Sequence, residues 1–381
     1  MSNETINTEA YEKSIKDLIK LISCVVCGQV PDKAWCETLD LKLLYKAAAY
    51  HALLAITAEA LERAGIQNEE FRNAKAYALR KAMLYDAELK KVTNEIEKHD
   101  VWYALLKGAV LKEYYPGFGL RQMIDIDILI DPDRAEDIRS VMEGMGYSTE
   151  RFGNEAHDVY HKESIYCFEM HWNLFAEYIS KPFFDYYQNV RDRLIRKNDS
   201  SHELRFSKED FYVYLIAHEY KHYSDCGTGL RSLLDVFLYL EREKIDLDYV
   251  HKATERMGIT AFEETNRSLA MKLFRGGELT EDESKMFEII QNSGMQGTMT
   301  NKVKNKSERY GGGKLKYVLQ RLWMPLSKKN PKYVEFATGY PLFYKYKVLL
   351  PFLPFYRIFV SIKNKRFKTE LKAMKEIEHK K

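Results

Sequence analysis

The apolar residues of this chain follow helical spacing at both ends and strand-like alternation in a segment between them. The helical spacing predicts helices over residues 9–30, 35–64 and 70–98. Residues 101–175 carry short apolar runs, some strictly alternating, that are separated by glycine and proline. Helical spacing returns over residues 207–300. The pattern therefore predicts an α+β protein, in which N-terminal and C-terminal helical blocks enclose a small mixed sheet.

One predicted strand carries two acids. Side chains alternate between the faces of a strand, so Asp125 and Asp127 are expected on the same face. The opposite face, directed into a core, would be formed by Ile124, Ile126, Ile128 and Ile130. Two carboxylates on one face repel each other, and a hard divalent cation with oxygen ligands would keep both ionised. The pattern predicts a metal site for phosphoryl or nucleotidyl transfer.

A second alternating segment, residues 166–172, carries a third acid. Its polar face is expected to hold Glu169 and His171. Its apolar face would be formed by Phe168, Met170 and Trp172. If this strand lies beside the first, Glu169 completes a three-carboxylate cluster that can hold one or two Mg²⁺ ions and draw a proton from a hydroxyl. The alternative is that these acids face solvent on two edge strands. His171 would either orient Glu169 or be satisfied by a neighbouring strand.

A glycine turn precedes the first acidic strand. Gly108 is expected to open a turn after a strand over residues 102–106, and Ala109 is expected to begin a short helix. The backbone N–H groups at the start of such a helix suit a triphosphate. Lys107 and Arg121 flank this turn and are expected to neutralise phosphate oxygens, unless they are ordinary surface charges.

Several short motifs resemble one known group of proteins. They are Leu106-Lys107-Gly108, Tyr115-Pro116, Arg121, residues 125–130, Glu169-Met170-His171-Trp172, and Gly229-Leu230-Arg231 with Asp235. Together they resemble the nucleotidyltransferase superfamily that includes DNA polymerase beta, and within it a bacterial branch of uncharacterised nucleotidyltransferases. The resemblance extends over roughly residues 10–300.

This resemblance implies a nucleotidyltransferase-type sheet and the transfer of a nucleoside monophosphate from a nucleoside triphosphate to an unidentified acceptor. Asp125, Asp127 and Glu169 would be the catalytic and metal-binding residues, with Mg²⁺ or Mn²⁺ as cofactor. The nucleotide would be bound by Lys107, Gly108, Ala109, Arg121, His171 and Arg231. Ala109 departs from the superfamily pattern, which usually has Ser or Gly at this position, so it offers a phosphate only its backbone N–H.

Two alternative functions remain open. The first is a non-catalytic nucleotide-binding or interaction protein on the same fold, for which the departure at Ala109 leaves room. The second is a zinc hydrolase, because His218, Glu219 and His222 fit the pattern in which two histidines bind zinc and the glutamate acts as base. Mg²⁺-dependent turnover would distinguish the first alternative, and bound zinc the second.

Other polar residues have no assigned partner in the sequence. His157 and His161 precede the Glu169 strand and would be metal ligands only with partners that the sequence does not identify. Asp235 lies one helical turn from Arg231, so the two are expected to form an ion pair if Asp235 has no other role.

The net charge of +3 conceals a strong asymmetry. Residues 301–381 contain 21 Lys and Arg against 5 Asp and Glu, a balance of +16, so the preceding residues carry −13. Aromatic residues lie among these basic residues. The asymmetry predicts an anionic partner, either RNA or an acidic membrane surface, unless the basic region packs against the acidic body.

Composition bounds the compartment and the domains. The polar N-terminus, the lack of a long apolar run and the odd count of five cysteines predict a cytoplasmic protein, at most peripheral to a membrane. Cys24 and Cys27 are expected to be buried thiols of an apolar helix. The predicted regions are an N-terminal helical region 1–100, a catalytic core 101–200, a helical domain 201–310 and a basic aromatic region 311–381.

Overall fold

The fold is mixed α and β, with a sheet flanked by helices, as the sequence predicts. A computed structural model of the 381-residue chain describes residues 8–153, 156–177, 179–198, 201–295, 297–298, 300–303, 305, 323–327 and 333–363. Of the basic aromatic region predicted over residues 311–381, only residues 323–327 and 333–363 are among those described.

The N-terminal block consists of helices. They are α1 (Thr8–Val26), α2 (Lys33–Glu37), α3 (Leu41–Tyr50), α4 (Leu54–Arg63) and the long α5 (Glu69–Lys98). The single helix predicted over residues 35–64 is wrong, because local signals interrupt it twice. The side chain of Asp40 accepts hydrogen bonds from the amides of Lys42 and Leu43 and so starts α3. Ala52 then adopts a left-handed backbone conformation with φ of 55°, which separates α3 from α4.

Seven strands form one mixed sheet within the described residues. They are β1 (Tyr103–Leu105), β2 (Ile126–Ile130), β3 (Ser148–Arg151), β4 (His157–Lys162), β5 (Tyr166–His171), β6 (Leu194–Arg196) and β7 (Glu203–Phe206). Their order across the sheet is β3-β4-β5-β2-β1-β7-β6. The pairs β2–β5 and β1–β7 are parallel, and the other neighbours are antiparallel. Short helices α6 (Lys107–Leu111), α7 (Ala135–Gly144) and α8 (Lys181–Tyr187) connect strands.

Helices also dominate the chain after the sheet. They are α9 (Lys208–Asp225), α10 (Leu230–Arg242), α11 (Leu247–Met257), α12 (Thr260–Arg275) and α13 (Glu281–Ser293), followed by helices at Tyr333–Gly339, Pro341–Lys345 and Leu353–Lys363. The predicted start of α9 is confirmed, because the Ser207 side chain accepts a hydrogen bond from the amide of Asp210.

The two faces of the sheet pack on different cores. On one face, side chains of β2 and β5 meet α5 and α7 through Ile126, Ile128, Ile130, Phe168, Met170, Val92 and Ile138. On the other face, Leu129 and Leu204 join a larger core. It is built from two groups of helices, one formed by α1, α3 and α4 and the other by α9, α10 and α12. Helices α1, α3 and α4 of the N-terminal block therefore bury their apolar faces together with helices that follow the sheet.

The expectation of two buried thiols in α1 is wrong for Cys27. Cys24 is half-buried, whereas Cys27 is exposed, and both are free. Cys27 follows the last residue of α1, where the chain turns at Gly28 with φ of 70°. The side chain therefore leaves the apolar face that the helix buries.

Candidate active site

The two acidic strands are neighbours, as the sequence predicts. In the parallel pair β2–β5, Asp127 is the register partner of Glu169. Both strands bury their alternate residues, Ile126 and Phe168 among them, on the opposite face against α5. Asp127 is itself buried, and Glu169 is half-buried. Parallel pairing in this register therefore brings the second and third acids side by side on one face.

Asp125 lies just before β2 rather than within it. The strand begins at Ile126, so the alternation does not extend back to Ile124, which is 43% exposed instead of joining the core as expected. The hydroxyl of Tyr85, on α5, lies 2.5 Å from the carbonyl oxygen of Ile124 and 2.9 Å from that of Ile165. This single side chain thus anchors the segments that lead into both acidic strands.

Lys107 is held against the acids by the turn after β1. Its backbone has φ of 39°, an unusual left-handed conformation for a residue with a side chain. The preceding amide, of Leu106, donates to the carbonyl of Asp127 at 3.0 Å. The Lys107 Nζ then lies 2.5 Å from Asp127 Oδ1, with most of the side chain out of water. Lys107 is thus the cation that balances Asp127.

Arg121 is a buried structural cation as well as a neighbour of the turn. Its guanidinium makes two hydrogen bonds to Asp235 on α10, of 2.9 and 2.7 Å, and Tyr115 donates a third to the same carboxylate at 2.8 Å. Gly108 makes room for it, because a Cβ at this position would lie 2.6 Å from Arg121 Nη1. The turn therefore needs glycine for the close approach of an arginine side chain.

Two expected contacts differ in the structure. Arg231 does not pair with Asp235; its Nη1 donates to the carbonyl of Gln122 at 2.6 Å, because Arg121 already occupies Asp235. The amide of Ala109, expected to face a phosphate, donates to the carbonyl of Leu106 at 3.1 Å, and its side chain is buried. Tight folding of the five-residue α6 against the sheet accounts for the second difference.

The three carboxyls have unequal proton affinities. Burial and the neighbouring Asp127 raise the pKa of Asp125 to about 6. Burial also acts to raise the pKa of Asp127, but Lys107 and His171 outweigh it and hold that pKa well below its usual range. For Glu169 burial is likewise outweighed, mainly by the hydrogen bond to His171, so its pKa is lowered. The cluster thus keeps two carboxylates ionised and leaves Asp125 the most easily protonated.

Two histidines extend the site along the sheet. The Nε2 of His171 lies 2.9 Å from Asp127 Oδ1 and 3.5 Å from Glu169 Oε2. The Nε2 of His157, on β4, lies 3.6 Å from the same Glu169 oxygen. Burial and His171 lower the pKa of His157 to about 4, which keeps its imidazole neutral. Among the described residues, His157, Glu169 and His171 form a group able to hold a metal ion.

His161 does not join this site. It lies four residues further along β4 and pairs with Glu150 at 2.6 Å in a more exposed position. The sequence names both histidines but gives no means to choose between them. Their pairing does, because His157 is opposite His171 in the antiparallel pair β4–β5, whereas His161 is opposite Cys167.

The helix α9 faces the sheet but does not form a zinc-protease site. His218 and His222 approach each other, with 3.1 Å between their Nε2 atoms. Glu219 points away into the core, where it accepts hydrogen bonds from Ser232 at 2.7 Å and Asn266 at 3.1 Å. Glu219 is therefore in the wrong place to act as base for an ion on the two histidines, and the zinc-hydrolase interpretation is wrong in this respect.

Two further residues near the acids are not identified by the sequence pattern. Burial lowers the pKa of Lys81 on α5 against the opposing attraction of Asp125, which places this lysine in the field of the site. Tyr214 on α9 is close enough to Lys107 and Asp127 for their charges to act on its phenol, although burial is the main cause of its raised pKa. Both sit in ordinary helical patterns, so nothing in their local sequence distinguishes them from surface or core residues.

Comparison with known families agrees with this geometry. A family described as uncharacterised nucleotidyltransferase matches residues 37–275, which is well over half of the chain. The chain belongs to this nucleotidyltransferase family. The matched segment runs from the end of α2 to the end of α12 and includes every residue placed in the site above. No curated protein matches the chain.

Proposed function

We propose that this nucleotidyltransferase-family protein is an active, metal-dependent enzyme that moves a nucleoside monophosphate from a nucleoside triphosphate to an acceptor. Membership of the family supports nucleotidyl transfer. The observation that carries the proposal is the register of β2 and β5, which sets Asp127 beside Glu169 just after Asp125. Two carboxyls on one face of the sheet, with a third just before the strand, are a donor set that suits phosphoryl-group chemistry with a divalent cation.

The donor set suits Mg²⁺, or Mn²⁺ in its place. Magnesium takes oxygen ligands and is commonly bound by one or two carboxylates together with substrate phosphates. The raised pKa of Asp125 reflects burial beside Asp127, and a divalent cation would favour the ionised form of both. Asp125, Asp127 and Glu169 would hold the ion, which would polarise the phosphoryl group under attack.

Side chains of the protein supply the remaining steps. Glu169, kept ionised mainly by His171, is the proposed base that accepts a proton from the attacking acceptor group. Lys107 balances Asp127 and is the proposed contact to phosphate oxygens, since its ammonium group lies beside the acids and keeps some contact with water. His171 orients both Asp127 and Glu169.

The nucleotide-facing wall is proposed to include Gly108, Arg121 and Arg231. Arg121 acts there mainly by fixing Asp235, so that α10 stays against the turn. Arg231 is tied to the carbonyl of Gln122, three residues before Asp125. Both arginines therefore keep positive charge beside the acids, where a triphosphate would lie.

Direct turnover tests this function. The full-length protein is incubated with each labelled nucleoside triphosphate, Mg²⁺ and a cell extract as a source of acceptors, and the labelled products are identified. Label should move to an acceptor with the wild type and disappear with Asp125→Asn. Asp131→Asn is the matched control, because Asp131 only caps the turn after β2 through the amide of Asp133. Nucleotide binding without any label transfer would favour the non-catalytic alternative.

A separate proposal concerns residues 341–363, which would contact an acidic membrane surface. Their exposed apolar side chains include Leu342, Val348, Phe352, Phe355 and Phe359. Basic residues of the same stretch are Lys345, Lys347, Arg357 and Lys363. The phenylalanines suit stacking on bases as well as insertion among lipid headgroups, but the aliphatic Leu342 and Val348 cannot stack on bases, so it is these two that favour lipid over RNA. None of the described helices is long and apolar enough to cross a membrane.

Vesicle binding tests the membrane proposal. The protein should be retained on vesicles with acidic lipid more than on neutral ones, and retention should fall with salt. Replacing Phe352, Phe355 and Phe359 by serine should reduce retention, whereas Phe118→Ser, at an exposed aromatic outside this segment, should not. Retention on RNA that survives the triple substitution, with none on vesicles, would contradict this proposal.

A further inference from the structure

We infer that His157, Glu169 and His171 form a binding site for a transition-metal ion, for which Zn²⁺ is the best-suited ion. This inference goes beyond the proposed function, because the site needs neither nucleotide nor acceptor. It shares only Glu169 with the proposed magnesium ligands. The His157 donor lies on β4, on the side of Glu169 away from β2, whereas the His171 donor lies 2.9 Å from Asp127, so this ion would be a direct neighbour of the proposed magnesium site.

Three donor atoms converge with the spacing that such an ion needs. The Nε2 atoms of His157 and His171 lie 3.6 and 3.5 Å from the same oxygen, Oε2 of Glu169. All three atoms lie within 4.8 Å of one another. Ligands at the usual bond lengths from a tetrahedral zinc ion are separated by about 3.4 Å. The observed separations of 3.5 and 3.6 Å therefore match those of atoms that share an ion.

The sheet fixes this arrangement. Glu169 and His171 are two residues apart on β5 and so share a face. His157 is the register partner of His171 in the antiparallel pair β4–β5, and the two rings lie 4.8 Å apart. All three donors therefore stand on hydrogen-bonded strands rather than on a loop, and little rearrangement is needed to bind an ion.

The chemistry of the donors selects the class of ion. Two imidazoles with one carboxylate suit zinc and other transition metals, whereas Mg²⁺ and Ca²⁺ prefer oxygen ligands alone. Three protein ligands leave a coordination position for water or substrate. In the metal-free site the Nε2 of His171 carries the ring proton, because it lies 2.9 Å from the ionised Asp127. A bound ion would displace that proton, and Nδ1, which is buried without a hydrogen-bond partner among the described residues, is the other nitrogen that can carry one.

Metal titration of the full-length protein tests the inference. The chelator-treated protein is titrated with Zn²⁺ in competition with a chromophoric chelator, and with Co²⁺ followed by visible absorption. One ion should bind, and His157→Gln should weaken binding by at least about tenfold. His161→Gln is the matched control, since it removes a histidine from the same strand outside the cluster. Thermal melts confirm that the variants fold, and Glu169→Gln provides a second variant.

The outcomes separate this inference from the proposed function. Asp125→Asn should abolish nucleotidyl transfer but leave zinc affinity unchanged, because Asp125 is outside the metal-holding group. Equal zinc affinity in the wild type and in His157→Gln would overturn the inference, and so would a loss confined to His222→Gln. In either case transfer of label with Mg²⁺ would still stand. Zinc binding without any transfer would leave the inference intact and overturn the enzyme.

Discussion

Two regions of this protein combine two histidines with one glutamate, and they behave differently. On α9, His218, Glu219 and His222 are close in sequence, yet the two histidines meet each other while the glutamate points into the core and bonds to Ser232. On β4 and β5, His157, Glu169 and His171 are spread over 15 positions, yet their donor atoms converge. Consecutive positions on a helix diverge by about 100°, whereas alternate positions on paired strands share a face. Convergence therefore depends on register more than on closeness in sequence.

The largest expected effect is the difference in activity between a variant at Asp127 and a variant at Glu219. Asp127→Asn should lower the proposed transfer by about three orders of magnitude, because it removes metal-holding charge worth several kcal/mol in the transition state. Glu219→Gln should keep most of the activity, since its carboxylate lies in the core among α9, α10 and α12. Initial rates with Mg²⁺ measure both. The comparison fails if the two variants lose activity to the same extent.

Removal of Lys107 should have the next largest effect. Lys107→Met leaves the buried Asp127 without its closest cation and should destabilise the fold by about 3 kcal/mol. The low end of the usual range applies because Lys107 keeps some contact with water. Chemical denaturation measures the change, and Lys112→Met, at a lysine that pairs with Asp86 instead, is the control. No difference between these two variants would show that Lys107 does not balance Asp127.

Glu219 gives a pH-dependent test of the helical side of the comparison. Burial raises its pKa from 4.5 to about 7, against the hydrogen bonds from Ser232 and Asn266. The folded state therefore binds the proton more tightly than the unfolded chain, and stability should fall as the pH rises from about 4.5 to 7. Glu219→Gln should remove about 2 kcal/mol of this loss. The measurement is the free energy of unfolding at pH 5 and at pH 8. If the variant lost as much stability between these two pH values as the wild type, the prediction would be wrong.

The smallest effect is expected at Tyr85, which bears on how the strands are positioned. Tyr85→Phe removes the hydroxyl that contacts the carbonyls of Ile124 and Ile165 and should cost about 1 kcal/mol of stability. The loss also frees the segment before Asp125. The rate of transfer should therefore fall by more than a loss of stability of this size would cause by itself. Tyr147→Phe, which loses a hydroxyl contact with Glu88 on the same core face, is the control. Equal activity of the two variants would remove Tyr85 from the positioning of the acids.

Local pattern was enough to predict the acidic strands but not their surroundings. The alternation of polar and apolar residues placed Asp127 and Glu169 on the face away from their apolar neighbours. Burial of those apolar neighbours on the other face favours the register in which the two acids pair. The pairing of Arg121 with Asp235 joins residues 114 positions apart, and no local rule anticipates it. The sequence offered only Arg231, a helical neighbour, as an ion-pair partner for Asp235.

The same limit applies to the helices and to the turn. Apolar spacing alone predicted one helix where the structure has α2, α3 and α4. Asp40 and Ala52 separate these helices through backbone geometry, which hydrophobic periodicity does not detect. Gly108 drew attention as a phosphate-binding glycine, whereas the structure shows a space requirement set by Arg121. His157 was visible as a possible ligand but needed the pairing of β4 with β5 before a partner could be named.

The shared core of the first and later helices has a consequence for synthesis on the ribosome. Helix α1 ends at Val26, but the α12 residues that cover it begin at Thr260, more than two hundred positions later. At usual translation rates the apolar face of α1 waits roughly 10–50 s for that partner. During this interval Ile15, Leu18 and Ile22 lack part of the core that buries them in the finished protein. The apolar face of α1 therefore stays partly uncovered until the last part of the matched core emerges, and slower translation lengthens that exposure.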